Sequence, residues 1–463
     1  MTLIHYIGAA LVLLLMVGAG VYSGKQVKSA ADFDGGHNAP AGLVMGAIIG
    51  TLVGGSSTIG TAQLAYTFGF SAWWFTLGGG IGVLILGLFF AKPLFASRIT
   101  TLPQLFAREY GEKSSTVMAL LNSLGTFLSI VAQILSGVAL ISAVSSLSSM
   151  IGTFLTILLM LAYVLFGGSL GAGYVGVVKT VLMYLSVGAC GILAIAVSGG
   201  FSTFFNNPLL PHETYFNLIA RGATVDLGAG ISLLVGVLTT QSYITAILSA
   251  KNLKVSKAGA LLSAVLIPLI GVAGIFVGMY MRLNYADIDT KMTLPLFILN
   301  HIPPMIGGIM LGTLLIAVVG TGAGLALGMS SIFCRDIYKV YVDKNAGPEK
   351  SLVVTRVIII AILVVCAVFS LGDLGDLILG WSFMSMGLRG SVAFVPLCTA
   401  LFMPGKIPSG YAVLSMIAGP VFTLIGKFLL PAAIDSMFLG IAVSLLVIIA
   451  GYIRSLRVKN LCH

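Results

Sequence analysis

Charge is what this sequence has least of. Only 8% of its 463 residues are Asp, Glu, Lys or Arg, with 14 acids against 24 bases, whereas a soluble domain carries roughly 25% charged residues. So few charges cannot coat a globule of 48.1 kDa, and lipid must be the solvent for most of the surface. A water-soluble enzyme is excluded on that ground, and no nucleophile-base pair, phosphate loop or metal-ligand cluster argues otherwise. Cysteine is scarce too. Cys190, Cys334, Cys366, Cys398 and Cys462 form no CxxC, so neither a disulfide framework nor a zinc site is indicated, and no cofactor is expected. The five histidines, His5, His37, His212, His301 and His463, fall at segment ends or in loops, which gives no histidine relay through a membrane. A net charge of +10 would suggest nucleic acid only if the bases gathered on one soluble module. Here they are scattered between apolar runs.

Apolar length is what the sequence has in abundance: 58% of residues are apolar and the mean hydropathy is +1.10. A spanning helix needs about 20 mostly apolar residues. That rule predicts an all-α polytopic membrane protein with about thirteen spans, near 2–22, 41–66, 71–91, 114–143, 151–166, 173–198, 226–249, 258–281, 306–334, 352–371, 376–399, 409–426 and 434–452. The first run lacks the basic flank and small-residue cleavage site of a signal peptide, so it is expected to be a retained helix. With the N-terminus outside, eighteen basic residues fall on the inner side. Four (Arg221, Arg282, Lys291, Lys427) fall outside and two (Lys179, Arg389) lie within spans. Basic residues in short loops stay cytoplasmic, so the expected orientation is N-terminus out, C-terminus in.

The 58 glycines are unevenly placed. The second segment reads Gly46-Ala-Ile-Ile-Gly50-Thr-Leu-Val-Gly54-Gly55-Ser56-Ser57-Thr58-Ile-Gly60-Thr61. It suits an interrupted helix that offers carbonyls and hydroxyls at mid-membrane, or else a small-residue packing face without a break. A second glycine-bearing polar run, Gly236-Val-Leu-Thr239-Thr240-Gln241-Ser242-Tyr243, lies in the seventh segment. The five-helix separation of the two runs is what an inverted repeat produces, with a substrate site between two broken helices. The expected organisation is a leading helix and loop (1–40), a first five-helix repeat (41–198), an external loop (199–225), a second repeat (226–400) and two further helices with a short tail (401–463).

Four stretches resemble the sodium/solute symporter family, which includes bacterial symporters: Ala30-Ala31-Asp32-Phe33-Asp34-Gly35-Gly36; residues 54–69, GGSSTIGTAQLAYTFG; Tyr163-Val-Leu-Phe-Gly167-Gly168; and Ile302-Pro303-Pro304 with Ala317-Val-Val-Gly320-Thr321, Ser330-Ser331 and Asp336-Ile-Tyr338-Lys339. The resemblance implies a LeuT-type 5+5 inverted repeat, alternating access, a small organic solute as partner, and residence in a bacterial cytoplasmic (inner) membrane. It also implies a sodium site between carbonyls at Gly50, Val53 and Ala317 and a hydroxyl pair that falls here on Gly320 and Thr321. One hydroxyl is therefore missing. The family's acidic residue and glutamine early in the fifth repeat helix fall on Gly176 and Lys179, so oxygen ligands are lost where a cation is gained.

Lys179 has two readings: snorkelling toward the cytoplasm, or an ammonium at the vacated sodium position. A desolvated lysine there can give up its proton near neutral pH and act as a proton carrier; one that stays charged would act as a fixed substitute ion and allow uniport or exchange. Arg389 must find carbonyls, a substrate carboxylate or a gating role. Ser56, Ser57, Thr58, Gln133, Thr239, Gln241 and Tyr243 would supply hydrogen bonds around the solute. Trp73, Trp74 and Phe75 suit an interfacial belt more than a gate. The expectation is a secondary active transporter for a small, carboxylate-bearing solute, coupled to protons or exchange through Lys179. A conventional sodium symporter and a transporter-like solute sensor are the alternatives.

Overall fold

The computed structural model describes residues 2–26, 38–99, 101–145, 147–167, 172–371, 377–431 and 434–461. Among these the chain is helical, and its one extended pairing is an isolated bridge between Ala39 and Ala250. The family-like loop at residues 30–36, Gly168, Asp373 and Asp376 lie outside the described residues, as does the side chain of Asp336. The helices are α1 (Leu3–Gln26), α2 (Ala41–Leu52), α3 (Thr61–Phe68), α4 (Trp74–Ile85), α5 (Ala91–Ser97), α6 (Leu102–Tyr110), α7 (Glu112–Val144), α8 (Ser149–Gly167) and α9 (Ala172–Val197). After α10 (Phe201–Asn206) and α11 (His212–Tyr215) come α12 (Ala223–Thr239), α13 (Gln241–Leu248), α14 (Leu253–Asn284), α15 (Thr293–His301) and α16 (Pro304–Ile332). The chain closes with α17 (Pro348–Ser370), α18 (Ile378–Phe402), α19 (Ser409–Leu429) and α20 (Met437–Leu461).

By length and composition nine described helices are able to cross a membrane, or ten if the bent pair α12–α13 is one span; Leu3–Leu15, Ala41–Leu52 and Ser149–Tyr163 are shorter apolar helices. The expected second and third spans do not separate cleanly. Helix runs on for 42 residues from Ser56 to Ser97, and its corner is at Gly69, whose φ of +53° places a would-be Cβ against the Tyr215 backbone. Only glycine adopts that turn without strain.

Polarity sorts the spans between interior and lipid. The most apolar window of α17 has a hydropathy of 3.0 and is 22% buried, whereas that of α18 has a hydropathy of 1.3 and is 78% buried. A polar face is tolerated only where protein or water meets it, so α18, with Ser382, Ser385 and Arg389 on one face, belongs to the centre. There it packs on α7 and α12. His5 lies against Gly308, and the Arg454 guanidinium lies over Tyr411, which ties α1 to α16 and α20 to α19.

Candidate functional site

Both expected breaks are present. Helix α2 stops at Leu52, Val53 is extended (ψ 96°), and the chain resumes through a π-helical turn, Ser56–Gly60. The interruption frees backbone N–H groups that must be capped inside the protein. Ser57 Oγ accepts from Gly54 N at 2.9 Å, and Gln133 Oε1 on α7 accepts from Gly55 N at 2.9 Å. The second break is a 52° bend between α12 and α13 at Thr240, which is extended (ψ 121°).

Between the breaks lies a small central chamber of about 30 Å³ lined by Ser56, Gln133, Tyr243, Thr321, Ser382 and Arg389 among others. Gln133 Nε2 donates to Ser56 Oγ at 3.3 Å, and Ser56 and Ser382 share a hydrogen bond of 2.6 Å. A wider vestibule of about 270 Å³ opens from it toward Arg335, and Thr240, Leu325 and Arg389 are common to both. The opposite end is closed. Phe75 meets Phe383 edge-on at 5.7 Å, and the Arg221 guanidinium lies over Phe383 at 5.7 Å, held there by Asp226 and Ser71.

Arg389 is 2% exposed. Its Nη1 donates to Thr240 Oγ1 (3.0 Å), its Nη2 to Ser129 Oγ (2.8 Å) and Ser385 Oγ (2.9 Å), and its Nε to Ser385 O (3.4 Å). The carbonyls that sequence reasoning expected to satisfy it are mostly hydroxyls. Lys179 is 6% exposed and does not snorkel. Its Nζ donates to Gly50 O and to Thr321 Oγ1, each at 2.6 Å. Glycines bring the two helices close enough for this contact: Gly50 lies 3.0 Å, measured from its would-be Cβ, from Gly176 Cα, and a Cβ on Gly176 would stand 2.7 Å from Gly46 O. No carboxylate side chain fits at Gly176. The missing hydroxyl at Gly320 faces the Tyr163 ring, and Val53 and Ala317 are buried.

The structure does not bring every expected residue to the cavities. Ser57, Thr58 and Thr239 turn their hydroxyls back on their own helices, to Gly54 O, Gly54 O and Val235 O. A hydroxyl bonded one turn back is the ordinary way a helix hides Ser or Thr. Gln241 lines the vestibule and not the chamber, where its Oε1 accepts from Leu102 N. Trp73 and Trp74 donate to the Pro268 and Leu218 carbonyls, and Phe75 borders the chamber, so Phe75 faces the interior and not lipid. Ser129, Thr240, Ser382 and Ser385 were missed. The signal was there: Asn122, Thr126, Ser129, Gln133 and Ser136 on α7, and Ser382, Ser385 and Arg389 on α18, repeat at helical spacing in otherwise apolar spans.

A profile of the sodium:solute symporter family matches residues 36–419. The chain belongs to that family. It is 24% identical over 401 residues to the high-affinity choline transporter 1 of Torpedo marmorata, covering 82% of this chain and 68% of that one. It is 26% identical to the sodium/sialic acid symporter SiaT of Proteus mirabilis, with 96% and 93% covered, and 25% identical to the sodium/proline symporter of Staphylococcus aureus, with 91% and 85% covered. The substrate-bound outward-open structure of a Na⁺-coupled sialic acid symporter superposes with a TM-score of 0.79 at 20% identity over 98% of both chains. The inward-facing conformation of Mhp1 gives 0.56 at 14% identity over 91% and 93%. The fold is the LeuT-type fold of symporters, and the relatives are transporters, not enzymes.

Proposed function

We propose that this family member carries a small solute bearing a carboxylate across a bacterial inner membrane by alternating access, with the vestibule on the cytoplasmic side, the N-terminus outside and the C-terminus inside. We infer further that it runs without sodium, on protons or exchange. The observation that carries this reading is the Lys179 ammonium, bonded to Gly50 O and Thr321 Oγ1, two positions where the family resemblance puts sodium ligands. Unit charges about 6 Å apart repel by roughly 3 kcal/mol at an effective dielectric of ~20. A sodium ion at that place would compete with the ammonium for the same oxygens. Thr321 also borders the chamber, so a change at Lys179 reaches the solute site through one hydroxyl.

The choice of solute follows from charge. Among the described residues no Asp or Glu lines the chamber or the vestibule, while Arg389 lines both. An organic cation such as choline would meet uncompensated positive charge, whereas a carboxylate suits a guanidinium. The second reading, ordinary sodium symport with Lys179 swung aside, is favoured by family membership alone. Proteoliposomes with imposed sodium, proton or no gradient separate the two, with labelled proline, sialic acid and choline offered in turn. Uptake in choline-based medium without sodium supports the proposal, and strict dependence on sodium overturns it.

A further inference from the structure

Asn122 is a buried polar group that solute transport through the central chamber leaves unused. It is 5% exposed and its Oδ1 has no hydrogen-bond partner among the described residues, although leaving a buried acceptor unpaired is costly. It lines the vestibule together with Ser242, Thr245 and Arg389. The chamber of about 30 Å³ holds two or three waters, at roughly 10–15 Å³ each. In this conformation an organic solute fits the vestibule, at about 270 Å³, and not the chamber.

Asn122 and Arg389 both line the vestibule. A Cβ on Gly125 would stand 2.6 Å from Arg389 Cγ, so the arginine stem crosses α7 one turn from Asn122, and the guanidinium reaches on to Ser129, one turn further along the same helix. A guanidinium has five N–H groups. Nε, both protons of Nη2 and one of Nη1 are engaged by Ser385, Ser129 and Thr240, which leaves one Nη1 proton. An available donor and an unpaired acceptor thus face the same vestibule, where no Asp or Glu stands among the described lining residues.

We propose that the vestibule is a second binding site, for an α-amino or α-hydroxy carboxylate: the carboxylate on Arg389 Nη1, and the N–H or O–H of the adjacent carbon on Asn122 Oδ1. This rests on the reading of Arg389 as a carboxylate ligand; the added element is Asn122, which requires a donor beside the carboxylate. A simple carboxylate leaves Oδ1 unpaired and binds less well.

The test uses the full chain with its native cysteines replaced by alanine and Ser242→Cys introduced, since Ser242 is exposed in the vestibule. In inside-out vesicles the thiol is labelled with 2-sulfonatoethyl methanethiosulfonate in the presence of matched pairs, glycolate against acetate and L-proline against cyclopentanecarboxylate. In at least one pair the donor-bearing member should protect at a concentration lower by about fivefold, the scale of one hydrogen bond. Asn122→Ala should erase that difference while the unprotected labelling rate stays the same, which shows the vestibule intact. Equal protection within both pairs, no protection by any of the four, or a difference that survives Asn122→Ala overturns the second site. Protection that persists in Arg389→Gln would instead overturn the carboxylate reading of Arg389 itself.

Discussion

Lys179 and Arg389 are both cations buried in apolar spans, 6% and 2% exposed, yet their surroundings differ in kind. Lys179 sits at a tight crossing of α2 and α9, where glycines at 46, 50 and 176 let backbone meet backbone, and it bonds a carbonyl and a single hydroxyl. Arg389 is ringed by hydroxyls from α7, α18 and the Thr240 hinge, and it borders both cavities. A charge at a helix crossing is fixed by backbone that cannot move aside. A charge among hydroxyls can exchange its partners for a ligand at little cost, because each hydroxyl can turn to another partner. On the function proposed above the pair divides the work, with Lys179 as the coupling charge and Arg389 as the solute ligand.

The largest way to break this comparison is Lys179→Gln. It keeps hydrogen bonding to Gly50 and Thr321 within reach but removes the charge, so accumulation driven by a pH gradient should fall to background while solute exchange persists. Accumulation that survives in proteoliposomes would remove Lys179 from the coupling. Next in size is Gly176→Ala. Its Cβ would press on Gly46 O at 2.7 Å, forcing α9 off α2 at a cost of about 1–3 kcal/mol, the range for overpacking. A thermal melt of the purified protein in detergent reads this directly, and an unchanged melt would show that the crossing is loose.

Arg389→Lys keeps the charge and loses the fork, so apparent affinity for the solute should drop by about tenfold, the ~1.4 kcal/mol scale of a charge-assisted bond. Unchanged affinity in uptake kinetics would leave Arg389 a structural group only. The smallest effect belongs to a lysine in water. Lys350, in the first turn of α17, pairs with Asp343 of the preceding loop at 2.7 Å. The hydrogen bond from Lys350 holds the Asp343 carboxyl below its usual value. The pair thus contributes at neutral pH. Its contribution is lost as pH falls through the lowered carboxyl value. Both groups are solvated and screened, so Lys350→Gln should leave the neutral-pH melting temperature unchanged within error. A clear shift would mean that burial is not what separates Lys179 from an ordinary lysine.

Much of this was legible in the chain itself. Low charge and long apolar runs dictate a membrane-embedded helical bundle, because water cannot solvate such a surface. The Gly54-Gly55-Ser56 and Thr239-Thr240 runs mark the breaks, because glycine and hydroxyl side chains can leave and re-satisfy a helix backbone. Lys179 and Arg389 stand out as functional candidates, because an ionisable group in lipid is expensive. The tertiary structure alone decided which hydroxyls matter. Ser57 and Thr58 neighbour Ser56 in sequence, yet one caps the broken backbone and the other folds back on Gly54 O, leaving Ser56 to meet Ser382 across the chamber. A hydroxyl bonds equally well to its own helix or to a partner hundreds of residues away, so its composition and position do not state its direction. The crossing of α2, α7, α9, α16 and α18 does. It places Lys179 Nζ on Gly50 O and Thr321 and leaves Asn122 Oδ1 in the vestibule wall without a partner among the described residues, an arrangement that depends on packing between helices far apart in the chain.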